Sequence, residues 1–345
     1  MKTGDAFGIN GNKKFTMKKA VSMPLNVIFR RLLCESIVVF SLLSCKDERI
    51  CVVNPHSPVD TDPVKTTCYA DLGAIISLTK VNDGFVASFH RDTLLFGWLD
   101  NEMRLRQRFC RRGNGPGEMV APVYCGQYSV CDGNAVISVL DRPKSTLYSY
   151  QITEEEVKMC PESVTFSRDQ EGLRKVFHVN GGWLILSDDT TQGVYISSEG
   201  GQEINPVEIP DRKPSYLIPG VYQTCSTIRP DSSIAALAYY LLPRIDLIGA
   251  DGTCRKVIYF DKRRRASQLK NDQEDYFIDI CCNNDRIYAL AARDDASCTL
   301  VSLDWMGNVV SNHLIKRAYS ICLDGNNLLA LSDDGTGLMV SCYRI

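Results

Sequence analysis

The stretch YFIDICCNNDRIYALAARDDASCTLVSLDWMGNVVSNHLI, residues 276–315, decides the fold. It contains four short runs that are rich in apolar, β-branched and aromatic residues, and each run is bounded by Asp, Asn or Gly. Turns between short strands have this composition. The stretch therefore predicts four consecutive antiparallel strands, in this order: YFIDICC (276–282), RIYALAARD (286–294), CTLVSLD (298–304) and NVVSNHLI (308–315).

The second of these runs recurs along the chain. There are six copies, and successive copies begin 50, 48, 51, 53 and 41 residues apart. Their near-continuous apolarity indicates burial on both faces, and a further strand follows each copy. Six units of about 50 residues with up to four strands each predict an all-β fold, a six-bladed β-propeller. The copies are GFVASF (84–89), NAVISVLD (134–141), GWLILSDD (182–189), SIAALAYY (233–240), RIYALAARD (286–294) and NLLALSDD (327–334).

The last unit lacks a fourth strand. It stops at SCYRI (341–345), which is its third strand. We therefore expect an N-terminal strand to complete the sixth blade and close the ring, which removes exposed sheet edges. KTTCYADL (65–72) is the first candidate and ICVVN (50–54) is the second. On this basis the propeller domain spans residues 65–345.

Residues 1–44 have the features of a lipoprotein signal peptide. A basic region precedes a short apolar run (36–43) that is too short to span a membrane and suits a signal-peptide core. LLSC (42–45) resembles the bacterial lipobox, so Cys45 is predicted to carry lipid and to become the new N-terminus. The alternative is an ordinary signal peptide with an incidental cysteine.

The tripeptide after the predicted lipid site is Lys46, Asp47 and Glu48. It resembles the signal that sends lipoproteins to the cell surface in some Gram-negative lineages. The alternative is a solvated tether over residues 45–64. The predicted location is therefore the outer membrane, with the protein lipid-anchored and facing the periplasm or the cell exterior.

Charge and cysteine content exclude several classes of protein. Residues 1–44 hold seven of the 39 Lys and Arg and two of the 41 Asp and Glu, so the remainder has 32 − 39 = −7 net charge. An acidic body argues against a nucleic-acid partner. Of 15 cysteines, Cys34 leaves with the signal and Cys45 carries lipid, and the remaining odd number has no CxxC pair. We interpret most of them as small buried hydrophobes, with neither a disulfide scaffold nor a metal site.

The loop RRGNGPGEMVAP (111–122) has three closely spaced glycines. The spacing is one residue short of a dinucleotide-binding loop and no helix follows, so a sharp turn is the preferred interpretation. Arg111 and Arg112 are placed to pair with Glu118 across the turn. Arg112 and Glu118 are also our candidates for contact with a partner.

GNGPGE (113–118) resembles the signature of TolB-like six-bladed propeller lipoproteins of Gram-negative bacteria. The resemblance extends over about residues 65–345, although Asn114 stands where that family often has Arg. It implies a propeller architecture and an envelope location. The family has no agreed activity, so the resemblance implies no chemistry.

No residue is singled out as catalytic, and no cofactor is expected. The four histidines are isolated and no nucleophile motif is present. Acidic pairs at 188–189, 294–295 and 333–334 either converge on a channel, as in calcium-binding or hydrolytic propellers, or cap turns, which is the preferred interpretation. The basic run DKRRRASQ (261–268) is interpreted as a solvated loop.

The favoured function is a binding module for an envelope protein, peptide or glycan, attached to the membrane through lipid alone. The first alternative is a metal-assisted hydrolase or lyase at the channel, which converging carboxylates with shifted pKa values would favour. The second is a structural subunit of an envelope complex, which a large exposed apolar patch would support.

Overall fold

The computed structural model describes residues 47–90, 92–167, 172–188, 193–212, 220–260, 263, 269, 275–335 and 337–345. The predicted signal peptide, Cys45, Lys46 and most of the basic run 261–268 lie outside the described residues. The chain divides into two units, Met1–Asp47 and Glu48–Ile345. The second unit contains all of the strands described below.

Six small sheets form the second unit, and together they make a six-bladed β-propeller. The six-bladed all-β prediction is confirmed. The strands in chain order are β1 (Ile50–Val53), β2 (Val59–Asp60), β3 (Lys65–Tyr69), β4 (Ile75–Val81), β5 (Gly84–Phe89), β6 (Leu94–Asp100), β7 (Leu105–Arg111), β8 (Pro122–Cys131), β9 (Asn134–Asp141), β10 (Thr146–Ile152), β11 (Val157–Thr165), β12 (Leu173–Val179), β13 (Gly182–Ser187), β14 (Val194–Ser198), β15 (Ile204–Pro206), β16 (Thr224–Ile228), β17 (Ile234–Tyr239), β18 (Arg244–Gly249), β19 (Cys254–Phe260), β20 (Phe277–Cys282), β21 (Arg286–Ala292), β22 (Ser297–Asp304), β23 (Val309–Lys316), β24 (Ser320–Asp324), β25 (Asn327–Asp333) and β26 (Leu338–Arg344).

The blades follow the sequence repeat. Blades 1 to 5 are built on β4–β7, β8–β11, β12–β15, β16–β19 and β20–β23, and blade 6 consists of β24–β26 with β3. Each of the six predicted apolar runs forms the second strand of its blade, and β17 and β21 are almost completely buried. Packing between neighbouring blades buries both faces of these strands, which explains why their sequences do not alternate.

The ring closes through the predicted N-terminal strand. Strand β3 pairs antiparallel with β26, with Thr67 opposite Val340, and the N–H of Val64 donates to the carbonyl of Cys342 at 2.7 Å. The first candidate, KTTCYADL, is therefore confirmed. The second candidate, ICVVN, also forms a strand, but on another blade.

Two further N-terminal strands lengthen blades 4 and 5. Strand β1 pairs in parallel with β19, with Ile50 opposite Val257, and β2 pairs in parallel with β23. Residues 50–69 thus contribute to the edges of three consecutive blades, and the strand-forming region begins before the predicted boundary at residue 65. We call residues 50–69 the edge segment.

Helical structure is minor in the part of the chain that the structure describes. Two single 3-10 turns occur, Ala70–Leu72 and Arg142–Lys144. Among those residues, no helix has the length and apolarity that crossing a membrane requires.

Candidate functional site

The inner strands of the six blades, β4, β8, β12, β16, β20 and β24, surround a channel of about 620 Å³. That volume lies within the range of small-molecule sites in proteins. The lining mixes charged, hydroxyl, thiol and apolar side chains. This channel is the candidate functional site.

Three alternate blades place a polar side chain in the channel by the same device. In blades 1, 3 and 5, the pairing of the inner strand shifts by one residue just before Ser77, Lys175 and Asp279 respectively. Such a β-bulge re-aims the following side chain and is over-represented next to functional sites. All three residues line the channel.

Blade 2 carries a larger irregularity that faces Lys175. Its inner strand shifts register between Tyr124 and Tyr128, and Gly126 within this bulge has φ +74°. A Cβ atom at Gly126 would lie 3.6 Å from the Lys175 Nζ. Glycine is required here by the left-handed backbone, and the bulge brings that backbone close to the ammonium group.

Lys175 crosses from blade 3 to blade 4. Its Nζ donates to the carbonyl oxygen of Ser226 at 2.7 Å and lies 5.0 Å from the ring centre of Phe177. Burial lowers the pKa of Lys175, and the nearby thiols and Asp279 only partly offset this effect. No ion pair with Lys175 occurs among the described residues.

Asp279 joins blades 5 and 6. Its carboxylate accepts the Ser320 hydroxyl at 2.7 Å, the Ile321 N–H at 2.9 Å and the Ile280 N–H at 2.8 Å. Burial raises the pKa of Asp279, although these three hydrogen bonds and Lys175 act in the opposite direction. The carboxylate is thus engaged by protein donors and fixes two inner strands relative to each other.

Four cysteines line the channel: Cys225, Cys281, Cys282 and Cys322. Burial raises the pKa of Cys282 to about 11 and that of Cys322 to about 12, so these thiols are neutral at physiological pH. All cysteines in the described residues are free. Within the same part of the chain, no group of three or more His, Cys, Asp or Glu is arranged to hold a metal ion.

The members of the predicted acidic pairs that the structure describes do not line the channel, and Asp189 lies outside the described residues. Asp188 is held between Arg142 and Arg174 at 2.8 and 3.1 Å. Asp294 accepts the backbone N–H groups of Ala296 and Ser297, which is the turn-capping role preferred in the sequence interpretation. Asp333 caps a turn in the same way by accepting the Gly335 N–H.

The glycine-rich loop connects β7 of blade 1 to β8 of blade 2, where a sharp turn was predicted. Gly117 has φ +73°, and the Glu118 carboxylate accepts the Gly115 N–H at 2.9 Å. Glu118 also lies 3.3 Å from the Arg111 Nε, so the predicted pairing across the turn forms with Arg111.

Arg112 is exposed and Glu118 is partly buried by its own loop. Contact of either residue with a partner stays a prediction. The sequence analysis did not assign either residue to the channel, and neither is among the residues that line it.

Sequence reasoning missed Lys175 and Asp279. They lie in short strands, LRKVFHV (173–179) and FIDICC (277–282), whose composition does not mark them. The register shift that sets them in the channel depends on the pairing with the neighbouring strand.

Comparisons with known proteins agree with the architecture. No family model matches the chain, and no curated protein matches it by sequence. A solved structure of a putative exported protein from Bacteroides fragilis is similar, with 10% identity, a TM-score of 0.53, and 86% of this chain and 99% of that chain covered. A DUF4221 family member from Bacteroides vulgatus is similar too, with 11% identity, a TM-score of 0.56, and 83% and 98% covered. At these identities the likeness concerns the fold alone.

Proposed function

We propose that this protein is an exported, lipid-anchored propeller of the TolB-like kind that binds a ligand in its central channel. The observation that carries the proposal is the channel itself, a cavity of about 620 Å³ with a chemically mixed wall. Polar side chains from alternate blades are set into that wall by β-bulges, on a rigid ring. Cavities with a few placed polar groups in a largely apolar wall are typical ligand sites.

Binding is favoured over hydrolysis because the carboxylates are occupied elsewhere. Asp279 is the one carboxylate among the channel-lining residues described, and it accepts three hydrogen bonds from the protein. A two-carboxylate or metal-assisted mechanism needs several acidic groups directed at one point. The metal-assisted hydrolase or lyase therefore receives no support from the arrangement of these side chains.

The export part of the proposal rests on the sequence. The lipobox-like LLSC predicts lipid on Cys45, and the following Lys46, Asp47 and Glu48 predict display at the cell surface. The similar Bacteroides fragilis protein is described as exported, which agrees with an envelope location. Arg112 and Glu118 stay candidates for a contact between the outside of the ring and an envelope protein, peptide or glycan.

The anchor is tested by Cys45→Ser. We expect the variant to be released as soluble protein or to accumulate unprocessed, whereas the unaltered chain partitions with the membrane. Replacing Asp47 and Glu48 with Ala tests surface display, and loss of protease accessibility on intact cells is expected. Unchanged membrane partition of Cys45→Ser would contradict the lipid anchor.

The binding role is tested by blocking the channel. Ser77→Trp places an indole among the inner strands, and Ser163→Trp, on the exposed outer strand of blade 2, is the matched control. Native mass spectrometry of protein purified from envelope extract should show small molecules bound to the unaltered chain and to Ser163→Trp. Their retention by a folded Ser77→Trp variant would contradict binding in the channel.

A further inference from the structure

The charged side chains of the channel lining are strongly biased in sign. Five of the six are basic, namely Lys80, Arg142, Arg174, Lys175 and Arg229, and the sixth is Asp279. The body of the protein is acidic, so this bias is local to the channel. A concave surface lined mostly by positive charges attracts negatively charged ligands.

Four of the five basic groups already have acidic partners. Lys80 lies 3.0 Å from Asp324, and Arg229 lies 3.5 Å from Asp231. Arg142 and Arg174 share one carboxylate, that of Asp188. Lys175 is the one basic group of the described lining without an ion pair, because these three carboxylates engage the other four.

The basic group that is available to a ligand is Lys175. An ammonium group has three donors, and the carbonyl of Ser226 accepts one of them. Asp279 lies within electrostatic range of Lys175, but its oxygens already accept hydrogen bonds from Ser320, Ile321 and Ile280. A partly desolvated charge without a counter-ion is costly, and an anion that enters the channel relieves that cost.

The rest of the wall is suited to an apolar group. Leu78, Tyr124, Ile280 and Ile321 line the channel from four different blades. The neutral thiol of Cys282 and its neighbours add small, polarisable surface beside them. The one basic group without an ion pair thus shares this mixed wall with apolar and thiol groups.

We propose that the channel binds a small organic carboxylate, whose anionic group contacts the Lys175 ammonium and whose apolar part lies against these side chains. A singly charged head group matches the one ammonium without an ion pair, whereas a phosphate dianion needs a second cation, and the other basic groups of the described lining are engaged by carboxylates. This inference rests on the proposed binding function and names its ligand class.

The test uses the full chain and four probes: hexanoate, its neutral counterpart hexanamide, hexylamine and inorganic phosphate. Calorimetry should detect hexanoate binding that is at least about tenfold tighter than binding of any other probe, because a hydrogen bond to a charged group contributes that much. Lys175→Met should lose this preference and Lys175→Arg should retain it. Lys158→Met, on the exposed outer strand of blade 2, is the matched control and should bind like the unaltered chain.

Amine labelling locates the bound probe in the unaltered chain. Hexanoate should protect Lys175 from acetylation, as read by mass spectrometry, and should leave Lys158 unprotected. This readout does not depend on the folding of any variant. Equal binding of hexanamide and hexanoate, or full acetylation of Lys175 at saturating hexanoate, would overturn the inference.

The outcomes separate the two proposals. If hexanamide or hexylamine binds at least as tightly as hexanoate and Ser77→Trp abolishes that binding, the channel is a binding site and the carboxylate inference is wrong. If no probe binds and Ser77→Trp retains the molecules that co-purify with the unaltered chain, both proposals are wrong.

Discussion

Two basic side chains of this propeller, the buried Arg244 and the half-buried Lys175, have different surroundings. Arg244, at the start of β18, is 1% exposed and faces Asp246, which is 0% exposed. Its Nε and Nη2 donate to the two oxygens of Asp246 at 2.7 and 2.9 Å. Nη2 also donates to the Pro210 carbonyl, and Nη1 donates to the Tyr259 hydroxyl. Lys175 has one hydrogen bond, to Ser226, and no ion pair among the described residues.

The two pKa directions reflect this contrast. Burial on its own lowers the pKa of Arg244, but the charge and hydrogen bonds of Asp246, together with Tyr239 and Tyr259, outweigh it and the net direction is upward. For Lys175 burial prevails and the pKa falls. A buried basic group paired with a carboxylate stabilises a blade, whereas one without an ion pair is available to a ligand.

The largest expected effect concerns the satisfied pair. Arg244→Met leaves the Asp246 carboxylate buried without its cation, and we expect the free energy of unfolding to fall by about 3–5 kcal/mol. Urea denaturation measures this. Arg244→Met combined with Asp246→Leu should recover most of the loss, and a single variant that costs less than about 1 kcal/mol would remove the contrast with Lys175.

The next largest effect is expected at Asp279, the acidic residue of the channel lining. Asp279→Ala removes the acceptor for the Ser320 hydroxyl and two backbone N–H groups, so we expect a loss of about 2 kcal/mol. Asp279→Asn keeps one acceptor oxygen and should lose about half as much. Chemical denaturation of both variants provides the comparison, and equal stability of all three proteins would show that channel water replaces these bonds.

Replacing Lys175 should change the free energy of unfolding in the opposite direction, because its removal is expected to stabilise the protein. Its folded-state pKa is below its unfolded value of about 10.4, so between the two the unfolded chain binds more protons and stability rises with pH. The groups facing it, Cys125, Cys225, Cys282 and Asp279, also titrate. The informative quantity is therefore the difference between the unaltered chain and Lys175→Met.

We expect Lys175→Met to be more stable than the unaltered chain by about 1 kcal/mol near neutral pH, and this advantage to shrink as the pH rises towards 10. Hexanoate affinity should fall over the same interval. Thermal unfolding across a pH series checks the first trend. A stability difference that is constant with pH would assign no unusual titration to Lys175.

The smallest effect is expected where a charge pair is exposed. Glu118→Gln removes the ion pair with Arg111 but keeps an acceptor for the Gly115 N–H, so the change should stay below about 1 kcal/mol. Differential scanning calorimetry resolves a change of this size. A larger loss would indicate that the loop stabilises blade 1 more than its exposed ion pair explains.

The sequence was informative where burial determines composition. The run NAVISVLD became β9 and RIYALAARD became β21, because strands packed between two neighbouring blades are apolar on both faces. Closure by residues 65–69 was predictable because the last unit lacked a strand.

Other features have no local signature. The parallel pairing of β1 with β19 depends on which blade has its outer strand next to residues 50–53 in the folded ring. The sequence around β1 does not specify that blade. Lys175 and Asp279 were missed for a related reason, because a register shift relative to the neighbouring strand decides that each side chain lines the channel. That shift exists only after the strands have paired.

The edge segment also imposes an order on folding. Strand β3 leaves the ribosome before any blade, yet its partner β26 is translated after all the others, with Lys65 opposite Cys342. Bringing such distant segments together is slow relative to forming a hairpin within one blade. The nascent chain can therefore complete its early blades while the sixth waits. A cell has that interval in which chaperones or proteases can distinguish an open ring from a closed one.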